Sequence, residues 1–193
     1  MPFHAVRVPT IVSMALREVL QFPDKRLKQM SKPVGKITDE IRELVRDMCD
    51  VMYDEPGVGL AAPQVGELIR LIVIDTEWTE DGNDKSALIL VNPEIVERDG
   101  NITWAEGCLS VPDFTADVER AEFVKLRATD LEGQAVEIDA QGLQAVCFQH
   151  EIDHLDGILF IDRISRLKRE MYVRKRKKQL RQNELDGEPA SLV

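Results

Sequence analysis

Apolar residues recur along this chain in two rhythms, every three to four positions in some stretches and every second position in others. Helical spacing is first clear at Ile41, Leu44, Val45, Met48 and Met52. Thr38 stands ahead of them as an N-cap, with Asp39 and Glu40 in the first turn, where negative charge suits the helix dipole. Glu55-Pro56-Gly57 stops that helix. Before it, Val19 to Leu27 reads as an extended entry closed by a turn at Pro23-Asp24. Leu68 to Asp75 and Ala87 to Asn92 are apolar and rich in β-branched residues, which predicts two strands around a polar loop. Ile95 to Trp104, turning at Asp99-Gly100, predicts a hairpin, and Val111 to Asp117 a loop. Val118 to Ala128 alternates apolar and charged residues with some slippage, and Ala135 to Ile138 returns as its partner strand after a turn at Asp130 to Gly133. Leu143, Val146, Cys147, His150 and His154 then share one helix face, which Gly157 ends. The stretch from Ser165 to Gln182 carries only a partial apolar stripe, at Leu167, Met171 and Leu180. The expected fold is α+β: mostly antiparallel sheets packed around the central histidine-bearing helix, with a C-terminal helix at about 165–182. Residues 14–193 are expected to form one domain. Met1 to Ser13, with two prolines, no acids and no periodicity, read as a disordered extension or an upstream start, and His4 within them as irrelevant to metal binding.

Length and charge narrow the picture. A chain of 193 residues buries a sizeable core without disulfides. No apolar run approaches the roughly 20 residues that span a bilayer, so no membrane role is expected. Three cysteines without regular spacing argue against a disulfide framework and for a reducing compartment. Cys49 and Cys147 fall on apolar helix faces and read as core residues, whereas Cys108 lies outside any helical pattern. The formal charge of −10 disfavours DNA as a partner. That charge is uneven, because Arg163 to Gln182 holds ten Lys or Arg against Glu170 alone. An acidic body thus carries a basic tail, which is either a solvated helix or a docking surface.

The chemistry centres on Gln149-His150-Glu151-Ile152-Asp153-His154. On a helix, His150 and His154 lie on one face and both imidazoles reach one divalent ion, with Glu151 beside it as general base and then general acid. The plain alternative is an ordinary polar edge of an amphipathic helix. A catalytic metal site needs a third ligand and an open position, and Cys108 in Glu106-Gly107-Cys108-Leu109-Ser110 supplies a thiolate. Gly57-Val58-Gly59-Leu60-Ala61-Ala62-Pro63-Gln64 would let a ligand backbone approach, and the Gln64 amide could stabilise an oxyanion.

These three blocks, in this order and from about Met14 to Gln182, resemble the peptide deformylase family. The resemblance implies a metallohydrolase that removes the formyl group from the initiator methionine of nascent chains. It implies one divalent ion on Cys108, His150 and His154: ferrous iron in the cell, although zinc, nickel and cobalt suit the same ligands. Glu151 would move protons, Gln64 and the Leu109 backbone N–H would hold the oxyanion, Gly59 and Leu60 would contact the peptide backbone, and Val58 would line the methionine pocket. Glu106 would brace Cys108. The resemblance leaves open the role of the loop Val111 to Asp117, including any substrate contact, because Phe114-Thr115 stand at a position that is Arg in some members. A formylated nascent peptide, the ribosome through the basic helix, a monomeric state and a bacterial cytoplasm are further expectations, with an organelle as the alternative setting. Two rivals are a zinc endopeptidase of the His-Glu-x-x-His type, which wants a downstream His or Glu ligand, and a catalytically inactive ribosome-docking module.

Overall fold

A computed structural model describes residues 17–55, 57–79 and 85–186. Residues 1–13, expected as an extension, lie outside the described residues. Helix α1 (Asp39–Asp54) follows Thr38 as predicted, although the Thr38 side chain makes no cap hydrogen bond to the backbone. Strands β1 (Gly59–Ala61), β2 (Leu71–Ile74), β3 (Leu88–Asp99), β6 (Phe123–Thr129) and β7 (Ala135–Gln141) form an antiparallel sheet in the order β1-β2-β3-β6-β7. Strands β4 (Ile102–Cys108) and β5 (Val111–Arg120) form a second, two-stranded sheet. Helices α2 (Gly142–Leu155) and α3 (Arg166–Asp186) complete the chain.

The large sheet is covered on both faces where it is widest. Leu71, Val73, Ile89 and Val91 face α1, against Leu44, Val45, Met48 and Met52. Ile72, Ile74, Leu90 and Leu126 face α2, against Ala145, Phe148, Ile152 and Leu155. This explains why β2 reads as an unbroken apolar run, since a strand buried on both sides has no solvent face to alternate with. Burial on nearly every side of α2 likewise makes it the central helix. Each fully buried large side chain here, Phe148 among them, contributes about 1.5–3 kcal/mol of transfer free energy. A third cluster, with Leu27, Val111, Val118, Phe160, Ile161 and Tyr172, lies between the two-stranded sheet and α3.

Five predicted elements differ. The chain does turn at Gly100, whose φ of +65° suits glycine, but Ile95 to Trp104 is not a hairpin. Strand β4 pairs with β5 in the second sheet instead, while the later part of β3, Glu94 to Asp99, pairs with β6. Val111 to Asp117 is not a loop but most of β5, whose partner residues lie on β4 and leave no local signature. The slippage within Val118 to Ala128 marks a real break, because β5 ends at Arg120 and β6 begins at Phe123 in the other sheet. The entry segment ends in a single 3-10 turn, Lys25–Lys28, capped by the Asp24 side chain, and not in extended chain. Helix α3 runs four residues beyond the expected Gln182.

Candidate metal centre

The ends of β1, β4 and α2 meet around a cavity of about 620 Å³. Cys108 is the last residue of β4, and His150 and His154 lie one turn apart on α2, as their spacing predicts. One ligand atom from each lies within 4.8 Å of the other two, with Cys108 Sγ 3.2 Å from His154 Nε2. The two imidazole planes are nearly perpendicular, 77°, at a centroid distance of 5.0 Å.

A buried ion-pair network holds these ligands. Arg120 grips Glu106 through both oxygens, at 2.6 and 2.9 Å, and reaches Asp153 at 2.6 Å. Arg163 pairs with both oxygens of Asp153 from the solvent side. Burial pushes the Glu106 carboxyl up, but hydrogen bonds from Arg120 and His150 outweigh it and bring its pKa down to about 2. Ionised Glu106 can only accept, so the His150 Nδ1 that meets it at 2.8 Å carries the hydrogen and Nε2 is left as the ligand atom. Burial pushes the His154 pKa well down, toward the neutral form that binds metal. Arg120 and Asp153 were absent from the sequence-based site. The Asp was visible inside the motif, but its partner comes from β5 of the other sheet, and nothing local marks it.

Glu151 is buried in the cavity wall, and its Oε2 has no hydrogen-bond partner among the described residues. Burial pushes its carboxyl up to about 7. A proton acceptor at that value, in a cavity wall and with Oε2 unpartnered among the described residues, suits a water held between it and an ion. The donor set fits a soft-to-borderline divalent cation, because a thiolate and two neutral imidazoles favour such ions over magnesium or calcium.

The Gly57 to Gln64 block is brought to the same place, though not every residue faces it. Gly57, Val58, Gly59 and Gln64 line the cavity, whereas the Leu60 side chain is fully buried in the core beneath α1. Any contact of Leu60 with a ligand is therefore through its backbone. Gln64 accepts from Ala61 N–H at 2.8 Å through Oε1, which points its Nε2 toward Ser110 Oγ at 3.2 Å and Cys108 Sγ at 3.6 Å. Leu109 lines the same wall. Cys49 and Cys147 are buried as expected, but Cys147 also reaches the cavity, with Sγ 3.6 Å from Val58 O. Its place four residues before Glu151 was the available signal. Trp104, Leu143 and Val146 extend the apolar lining.

A thiolate and two imidazoles around an unpartnered carboxylate, at the mouth of a largely apolar cavity, define a class, the metal-dependent hydrolases. The particular family follows from comparison. A family model described as polypeptide deformylase matches residues 16–170, and this chain belongs to that family. A peptide deformylase of Rhodopseudomonas palustris strain BisB5 is 53% identical over 163 residues, covering 84% of this chain and 93% of its own length. A peptide deformylase of Brucella suis biovar 1 is 50% identical over 166 residues, covering 86% and 94%. Among solved structures, that of a peptide deformylase from Legionella pneumophila superposes with a TM-score of 0.80 at 47% identity, covering 88% of this chain and 98% of that one. The Ehrlichia chaffeensis enzyme in complex with actinonin gives 0.79 at 37%, covering 86% and 98%. The family consists of hydrolases that remove the N-formyl group from the initiator methionine of nascent polypeptides.

Proposed function

We propose that this chain deformylates nascent polypeptides through the centre formed by Cys108, His150, His154 and Glu151. The observation that carries the reading is the buried, unpartnered Glu151 Oε2 beside three converging ligand atoms. A bound divalent ion there contributes Lewis-acid polarisation of the formyl carbonyl and a water acidified toward neutrality. Cys108, His150 and His154 hold the ion, and ferrous iron is the proposed cellular metal, with zinc, nickel or cobalt as substitutes that the ligand types accept.

Glu151 takes the proton of the attacking water as oxygen adds to the formyl carbon. The charge that develops on the formyl oxygen is met by the Gln64 Nε2 hydrogens, already aimed at this wall, and by the Leu109 backbone N–H. Glu151 then passes its proton to the departing α-amine as the C–N bond breaks, which releases formate and a free N-terminus. Strand β1 is an edge of its sheet, so Gly59 and Leu60 can add the peptide backbone as a further strand. Val58, Trp104, Leu143 and Val146 suit a flexible apolar methionine side chain.

The basic helix α3 is proposed to bring the enzyme to the ribosome, whose phosphate backbone its exposed lysines and arginines would meet. The protein is proposed to act as a monomer in the cytoplasm, and no helix among the described residues is long and apolar enough to cross a membrane. The test is formate release from formyl-Met-Ala-Ser by protein prepared without oxygen and loaded with ferrous iron. Turnover that disappears in Glu151→Ala, with the ion still bound, supports the reading. Absence of turnover with one ion per chain refutes it.

A further inference from the structure

The peptide-binding wall contains a stretch of strand that its own sheet does not hold. Glu106 pairs with Ala116 and Cys108 with Val111, so Gly107 alone stands opposite Pro112 to Thr115. All four of those residues line the cavity, and Asp113 among them has a φ of +58°. A segment displaced from its ladder keeps its shape only through other contacts. Here those contacts come from the C-terminal helix.

Tyr172, Arg176 and Gln179 lie at i, i+4 and i+7 on the inner face of α3. Phe114, half-buried, has the Tyr172 ring 4.8 Å away at 31° and the Phe160 ring 5.9 Å away at 19°. Gln179 Nε2 donates to Asp113 Oδ2 at 3.4 Å. The helix is itself anchored at this point. Buried Arg176 donates to Gln21 Oε1 at 2.6 Å and to Phe22 O at 3.2 Å, and Phe22 packs on Tyr172 at 5.9 Å. Tyr172 is only 4% exposed and its hydroxyl has no hydrogen-bond partner among the described residues, so it is the ring that serves this site.

We infer that Tyr172 is a positioning residue of the peptide site: its ring fixes Phe114, and through Phe114 the unpaired wall from Pro112 to Thr115, in the shape that receives the peptide. The basic helix thereby has two faces with separate work, an outer charged one and an inner one that shapes the cavity. Tyr172 makes no hydrogen bond to Cys108, His150 or His154. Cys108 packs on the same apolar cluster, however, and Phe160 stacks on the His150 ring at 6.2 Å, so metal content and kcat are read beside peptide affinity to separate a wall effect from an effect on the ion. The inference rests on the deformylase reading for the identity of the peptide, but not for the existence of the wall.

The test separates the two. Binding of the product peptide Met-Ala-Ser is followed by the fluorescence of Trp104, which lines the cavity and needs no turnover, on the iron-loaded full chain. Formate release from formyl-Met-Ala-Ser is measured alongside. Tyr172→Ala is expected to weaken binding and raise KM about five- to tenfold, the scale of losing an aromatic pair, with kcat within about twofold and metal content unchanged. Tyr172→Phe is expected to restore wild-type affinity. Should Tyr172→Ala not fold, Tyr172→Leu fills the space without a ring and is expected to show the same weakened binding. Wild-type affinity in a folded Ala or Leu variant overturns the inference, as does a Phe variant as impaired as Ala. Peptide binding without turnover in the wild type would refute the deformylase reading and leave the inference standing. Absence of both peptide binding and turnover in the iron-loaded wild type would overturn both.

Discussion

Gly59 faces the most crowded point of the site, which makes Gly59→Ala a sharp perturbation. A Cβ there would lie 2.6 Å from Glu151 Oε1, 3.1 Å from Glu151 Cδ and 2.9 Å from Cys147 Sγ. Ordinary contact begins near 3.4 Å, so the carboxylate would have to retreat by roughly 0.8 Å. Neither side yields easily. Gly59 is held in register with Ile74 in β1, and Cys147 and Glu151 are both buried on α2. Overpacking of this kind costs about 1–3 kcal/mol of stability. The larger effect is on rate, because a misplacement of roughly 1 Å in a reacting group costs about a hundredfold. The three atoms nearest that Cβ belong to Glu151 and Cys147 and not to Cys108, His150 or His154, so the variant is expected to retain its ion while kcat falls about a hundredfold. Formate release and metal analysis on the same preparation test this, with thermal unfolding for the stability loss. The double variant Gly59→Ala/Cys147→Ala removes the sulfur contact but not the carboxylate one, so stability should recover in part and kcat should not. A metal-loaded Gly59→Ala with kcat within about threefold of wild type would refute the argument that this glycine makes room for Glu151.

Three further predictions concern the supports of the site. Arg120→Leu leaves Glu106 and Asp153 buried without their shared cation and is expected to cost about 3–5 kcal/mol in denaturant unfolding, with weaker retention of metal against a chelator. Gly157→Ala places a Cβ 2.7 Å from Lys28 O at a φ of +72°, so strain and clash together are expected to cost about 3 kcal/mol in thermal unfolding, without a change in KM. For Asp162, burial raises the pKa, but the Lys28 ammonium and the Leu159 N–H outweigh it and hold the carboxyl below its ordinary value. A depressed carboxylate contributes stability above its unfolded pKa of about 3.9 and loses it as pH falls through the folded value. Asp162→Asn should therefore be less stable than wild type at pH 7, with a gap that narrows as pH falls from neutral to below the ordinary carboxylate value of about 3.9; a gap that stays constant over that fall would contradict the assignment.

Much of the site was legible because its parts are local. His150, Glu151 and His154 sit on one predicted helix whose apolar face leads to them, and Cys108 stands out as the cysteine that no helical pattern absorbs. The Gly57 to Gln64 block was legible as a close-approach segment, although alternation could not say that Leu60 turns into the core while Val58 and Gly59 face the cavity. The mistaken hairpin at Ile95 to Trp104 has the same origin as the missed Arg120. Both depend on which sheet a strand joins, and a strand's own residues do not carry the identity of its neighbour.

What the sequence by itself determined was the type of the helices and of most strands, and the donor types available to an ion, since periodicity, capping residues and side-chain chemistry are properties of short segments. Tertiary structure alone decided that β4 pairs with β5 and not with β3, that Arg120 reaches from β5 to brace both Glu106 and the Asp153 of α2, and that Tyr172 and Phe160 flank Phe114 in the cavity wall. Those pairings join residues 14 to 58 positions apart, and only the burial of three packed surfaces brings them into contact.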